Sequence, residues 1–126
     1  MKILLVEDDK FFQKFYSLKL TEAGYEVGTA SNGDEALASI KTSMPALILL
    51  DLVMPIKDGF EFLVERTKEP TIAAVPVIVF STLGQEEDVK RARSLGANDY
   101  INKSFFDFEN LRMKIESLLH TLPTSR

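Results

Sequence analysis

The sequence predicts a doubly wound α/β fold, a five-stranded parallel sheet with helices on both faces. Two observations lead there. Short, wholly apolar runs alternate with longer amphipathic stretches, and capping or turn residues stand at the junctions between them. A run that is apolar at every position suits a strand covered on both sides, which is how parallel sheets are built. Five such alternations, joined by short loops and right-handed crossovers, leave the doubly wound arrangement as the leading architecture.

The elements follow in order. Ile3-Leu4-Leu5-Val6 reads as a buried strand. Asp9 caps a helix running to about Ala23, with Gly24 as its C-terminal stop. Tyr25 to Thr29 is more mixed and suits an edge strand. Asn32-Gly33 opens a second helix through Ala36, Leu37 and Ile40. Leu47-Ile48-Leu49-Leu50 is a second fully apolar run. Asp58-Gly59 leads into a third helix with Phe60, Leu63 and Val64 on one side. Val77-Ile78-Val79-Phe80 is the fourth strand, and Val89, Ala92 and Leu95 mark a fourth helix ended by Gly96. Asp99-Tyr100-Ile101 is short, as an opposite edge would be. Phe108, Leu111, Ile115 and Leu118 form the stripe of a fifth helix.

At 126 residues the chain is one domain with room for a real core. We assign residues 1–120 to it and 121–126 to a C-terminal tail or linker stump. The absence of cysteine excludes disulfides, thiolate metal sites and cysteine nucleophiles. The single histidine, His120, excludes a multi-histidine metal centre; near the end of the last helix it complements the helix dipole. A net charge of −4 argues against nucleic-acid binding as the main task. Lys90, Arg91 and Arg93 on the fourth helix read as a solvated face. No apolar run approaches the ~18–20 residues of a membrane span, and Met1-Lys2-Ile3 does not start a signal peptide, so a cytoplasmic protein is expected.

In doubly wound folds ligands bind beyond the carboxyl ends of the strands. Those ends carry Glu7-Asp8-Asp9, then Asp51, then Ser81 and Thr82, then Lys103. Clustered carboxylates raise one another's pKa unless a cation intervenes. Oxygen-only donors favour a hard ion, and Mg²⁺ fits best. A lysine and a hydroxyl beside them complete a phosphoryl-transfer arrangement. Singly, each residue has a plainer role. Asp9 is a cap, Asp51 a turn residue, Ser81 and Thr82 caps for the helix near Glu86, and Lys103 a surface lysine. Four loops offering complementary groups at one sheet edge outweigh those readings.

Three segments carry a resemblance. Ile3 to Asp9, Asp51-Leu52-Val53-Met54-Pro55-Ile56-Lys57-Asp58-Gly59, and Gly96 to Lys103 resemble the receiver domain of bacterial two-component response regulators; Ala30 to Leu37 matches as well. The likeness covers nearly the whole chain in order and spacing. It implies a flavodoxin-like sheet of strand order 2-1-3-4-5. It also implies a signalling switch rather than an enzyme: Asp51 accepts a phosphoryl group, with Mg²⁺, from a histidine kinase or phosphotransfer protein. Asp8 is implied as a direct metal ligand, Glu7 as one acting through water, Asp51 as a further ligand and Val53 as a backbone carbonyl ligand. Ser81 stands at the switch hydroxyl, Lys103 at the phosphoryl-pairing lysine and Tyr100 at the aromatic switch. The output would pass to an effector domain or protein through the face of the fourth helix, fifth strand and fifth helix, with no direct nucleic-acid or membrane contact.

One departure concerns Lys103. The family carries a proline after this lysine, in a cis peptide, and this chain has Ser104. A cis bond before a non-proline residue costs roughly 2.5–4 kcal/mol, so a trans bond is expected, which leaves the placement of Lys103 open. Two rival readings fit less well. An aspartyl-nucleophile phosphatase would carry Asp-x-Asp at the first strand and a cap. A flavin module would not tolerate Glu7-Asp8-Asp9 against a phosphate. Finally, Phe11 and Phe12 are adjacent on one helix, so one of them is expected to be exposed beside the site.

Overall fold

A computed structural model of the chain describes residues 1–105 and 107–121. The chain forms β1 (Lys2–Val6), α1 (Lys10–Glu22), β2 (Glu26–Ala30), α2 (Gly33–Thr42), β3 (Leu47–Leu50) and α3 (Gly59–Arg66). It continues through α4 (Pro70–Ala73), β4 (Val77–Ser81), α5 (Glu86–Ser94), β5 (Asp99–Asn102), a 3-10 turn (Lys103–Phe105) and α6 (Phe108–Thr121). The five strands are all parallel, in the order β2-β1-β3-β4-β5. β2 and β5 are the edges, as their mixed composition requires. α6 runs through Thr121, one residue past the expected domain end at 120; the rest of the expected tail, 122–126, lies outside the described residues.

Strand alternation sends successive side chains to opposite faces, and this splits the core in two. Leu4, Val6, Ile48, Leu50, Val77 and Val79 face α2, α3 and α5 through Ala36, Ile40, Leu63 and Ala92. Ile3, Leu5, Leu47, Leu49, Ile78 and Phe80 face α1 and α6 through Tyr16, Leu20, Leu111 and Ile115. Asp9 caps α1 as expected, accepting from the backbone N–H groups of Phe11 and Phe12, and the helix openings at Asn32 and Asp58 are also caps, Asn32 accepting from Glu35. Asp58 forms a full capping box with Glu61. Gly24 and Gly96 end their helices at φ of +100° and +105°.

Three details differ from the sequence reading. A sixth helix, the single turn α4, starts on Pro70 and buries Ile72; four residues are too few to show a periodicity. On α3 the buried stripe is Gly59, Phe62, Leu63 and Arg66, with Phe60 beside it, and Val64 is exposed. Val64 lies one residue, about 100°, past Leu63, so it turns outward. On α6 the third deep anchor is Leu119, four residues after Ile115, while Leu118 is only partly buried. Arg66 is a buried cation that the sequence did not announce. Its guanidinium donates to the carbonyls of Ala73 (2.7 Å) and Gly96 (3.0 Å), tying α3 to the turn before β5.

Candidate functional site

Parallel strands all end at the same edge of the sheet, so the residues following β1, β3, β4 and β5 meet. Asp51 directly follows β3, and its N–H donates to the Val6 carbonyl at 3.0 Å. Glu7 directly follows β1 and donates its N–H to Ala30 at 2.9 Å. One carboxylate oxygen each from Glu7, Asp8 and Asp51 lies within 4.8 Å of the others. Glu7 and Asp51 are buried. Gly59 lets α3 begin directly against this loop: a Cβ there would lie 2.4 Å from the Asp51 carbonyl.

Lys103 enters from the 3-10 turn after β5. Its ammonium pairs closely with Glu7 and lies 3.5 Å from Asp51 Oδ2. The chain contains no cis peptide among the described residues, so the Lys103–Ser104 bond is trans and Lys103 nonetheless reaches the acidic cluster. Burial pushes the Glu7 carboxyl above the usual carboxylate range. The Lys103 hydrogen bond pulls it back, and the Asp51 charge raises it again.

Ser81 closes β4 and is fully buried; its Oγ accepts from the Leu83 N–H at 3.3 Å. Neither Ser81 nor Thr82 caps α5, whose N-cap is Gln85 without a side-chain bond, so the plain capping reading fails. The shallow cleft over the cluster, about 250 Å³, is lined by Glu7, Asp8, Asp9, Phe12, Asp51, Val53, Thr82 and Lys103. Val53 stands at its rim with 54% of its surface exposed.

Tyr100 packs partly buried on the α2–α5 side, and its hydroxyl donates to the Leu83 carbonyl at 2.6 Å. Burial, with the Asp88 and Asp51 charges behind it, pushes its phenol up to about 12. Its strand neighbour Asp99 joins the flanking helices, pairing with Arg93 of α5 at 3.5 Å and Lys114 of α6 at 3.1 Å. The basic cluster on α5 is thus partly engaged: Arg93 on Asp99, Lys90 on Glu86 at 3.8 Å, and Arg91 over the Phe60 ring at 4.0 Å.

Phe11 is 70% exposed and Phe12 37%, so both, rather than one, show a face to solvent at the start of α1. One residue of this region escaped the sequence reading. Gln13 donates from Nε2 to the Glu7 carbonyl at 2.8 Å, bracing the acidic loop; nothing in the sequence marks a helix-borne glutamine for this. Phe12 lines the cleft itself. Its adjacency to Phe11 signalled exposure but not its contact with Lys103.

Known proteins resemble this chain in sequence and fold. The family model described as Response regulator receiver domain matches residues 3–116. A protein of Porphyra purpurea named "Probable transcriptional regulator ycf27" is 40% identical over 118 residues, 94% of this chain and 47% of that one. The chain therefore spans about half the length of the curated relatives it matches. The Francisella response regulator 1452 receiver domain superposes with a TM-score of 0.86 at 32% identity, over 94% of this chain and 96% of that one. The Mn(2+)-bound form of response regulator Rcp1 gives a TM-score of 0.80 at 34% identity, over 96% of each chain.

Proposed function

The chain belongs to the response regulator receiver family, a phosphoacceptor signalling switch, and on that premise we propose that Asp51 is its acceptor. The carrying observation is the convergence of Glu7, Asp8 and Asp51 within 4.8 Å, with the Lys103 ammonium among them. Receiver domains take their phosphoryl group from histidine kinases or phosphotransfer proteins. In the transfer the P–N bond of the phosphohistidine breaks, its electron pair stays on the imidazole, and a P–O bond forms to an Asp51 carboxylate oxygen.

The donor set fits Mg²⁺: three carboxylate oxygens, no sulfur, and the only histidine far along α6. Asp8 and Asp51 would hold the ion directly, Glu7 through water and Val53 through its carbonyl. That the similar response regulator Rcp1 has a Mn(2+)-bound form supports a divalent ion here. When bound, the ion neutralises charge on the phosphoryl oxygens. The protein's own groups do the rest. The Asp51 carboxylate attacks, and the Lys103 ammonium is close enough to follow the new phosphoryl oxygens. The Ser81 hydroxyl is released from Leu83 to meet them.

That last move reaches the output. Leu83 is bonded through its N–H to Ser81 and through its carbonyl to Tyr100, so a shift of Ser81 is felt at β5. Tyr100 and the α5/β5/α6 face then change affinity for an effector. The domain assists its own phosphorylation and dephosphorylation but works as a switch, in the cytoplasm, without itself binding nucleic acid or membrane; no helix among the described residues is long and apolar enough to cross one.

Acetyl phosphate with Mg²⁺ tests the assignment by intact mass. Wild type gains one phosphoryl group, and Asp51→Asn gains none. Ser81→Ala still gains it but loses most of the phosphorylation-induced NMR shifts around Tyr100. Full labelling of Asp51→Asn refutes the acceptor.

A further inference from the structure

A lysine ammonium ends a stem of four methylenes and is easily misplaced. Lys103 follows the edge strand and precedes Ser104 rather than proline, in a 3-10 turn whose Ser104 N–H donates to the Asn102 side chain at 2.8 Å. Its side chain is nonetheless only 7% exposed. Besides Glu7 and Asp51, two rings flank the ammonium. The ammonium lies 5.4 Å from the centroid of Phe12 and 5.6 Å from that of Phe80. Both separations are inside the ~6 Å reach of a cation over an aromatic face.

The rings come from separate elements, Phe12 from the first turn of α1 and Phe80 from β4. They are braced by a third. Tyr16 stacks on Phe12 at 5.8 Å and meets Phe80 edge-on at 4.9 Å. Tyr16 and Phe80 are both buried, so the bracket is fixed in the core and only its outer arm, Phe12, faces the cleft. Glu7 and Asp51 supply the charge that draws the ammonium inward; the ring faces decide where it stops. A carboxylate pair alone would leave the stem free to swing toward Asp8 or solvent.

We propose that Phe12 and Phe80 are positioning residues, an aromatic bracket that holds the Lys103 ammonium at the acceptor. The effect on phosphorylation rests on the reading above, in which Lys103 meets the phosphoryl group on Asp51. The placement of the ammonium does not.

The experiment compares wild type with Phe12→Leu, Phe12→Trp and Phe80→Leu. Metal-free NMR of the full chain, with lysine labelled and Lys103 assigned through Lys103→Arg, reads the side chain directly. The Lys103 Cε protons are ring-shifted upfield in wild type, return toward free-lysine positions in both leucine variants, and stay shifted in Phe12→Trp. Labelling by acetyl phosphate, which needs no protein docking, is then followed at saturating Mg²⁺. Phe12→Leu should label roughly 3- to 30-fold more slowly, with the Mg²⁺ half-saturation point unmoved and Phe12→Trp close to wild type. Simple packing loss would slow both Phe12 variants alike and overturn the proposal. Lys103 protons at free-lysine positions in wild type would overturn it too. A wild type that takes no phosphoryl group would refute the acceptor assignment, while the metal-free NMR would still decide the bracket.

Discussion

Replacing Asp51 by asparagine should make the metal-free protein more stable while abolishing phosphorylation. Asp51 faces two carboxylates no more than 4.8 Å away and one ammonium at 3.5 Å. At an effective dielectric of about 20, each repulsion amounts to about 3.5 kcal/mol and the attraction to about 4.7 kcal/mol. The two repulsions exceed the single attraction by about 2 kcal/mol, and solvent around the more open Asp8 lowers that further. Asparagine keeps the shape, and its side-chain oxygen still accepts from the Val53 N–H at 3.4 Å. A gain of about 1–2 kcal/mol, or roughly 4–8 °C in Tm at this size, is expected in chelator. Urea unfolding at equal m-value measures it. Mg²⁺ should then reverse the order: at a hundredfold excess over its Kd it stabilises wild type by about 2.7 kcal/mol, and the asparagine variant by much less. A variant no more stable than wild type in chelator would refute the charge argument. A gap indifferent to Mg²⁺ would refute the metal site.

Other outcomes follow from single residues. Ile56 is β-branched, 78% exposed and held at φ 67° by a turn in which Lys57 N–H meets the Pro55 carbonyl at 2.7 Å. Such a turn is strained, so Ile56→Asn should add about 1 kcal/mol to the urea-derived stability; a loss would show that Ile56 packs usefully. No tyrosine should ionise at the ordinary value of 10.0, since burial raises Tyr16 and Tyr25 and takes Tyr100 to about 12. A folded value above the unfolded one gives stability that is complete below pH 10.0 and lost as pH rises through 12. Ultraviolet titration with parallel circular dichroism checks it, and Tyr100→Phe should leave less stability to lose in that window. Phe11→Ala should slow transfer from a histidine-kinase donor while leaving acetyl phosphate labelling intact, because Phe11 is exposed and lies outside the cleft lining. Equal loss with both donors would indicate damaged folding instead.

The sequence alone determined the sheet and what gathers at its edge. Strands that must be covered on both faces have to be wholly apolar, so Ile3–Val6, Leu47–Leu50 and Val77–Phe80 announced themselves. Parallel strands must end together, so Glu7, Asp8, Asp51, Thr82 and Lys103 were bound to line one cleft, whereas Ser81, the last residue of β4, is buried beneath it. The helix openings at Asp9, Asn32 and Asp58 were equally legible, because capping is a contact within a few residues. Contacts across large separations were not. Arg66 reads as an ordinary helix cation, and only packing against α4 and the turn before β5 buries it on two carbonyls. The one-turn α4 lacks the length to show a period. Lys103 is the clearest case. The sequence gives its place at the strand end but says nothing about its orientation once Ser104 follows it. The tertiary structure decides that, because Phe12 and Phe80, 68 positions apart in the chain, meet beside Lys103 only when α1, β4 and β5 have packed.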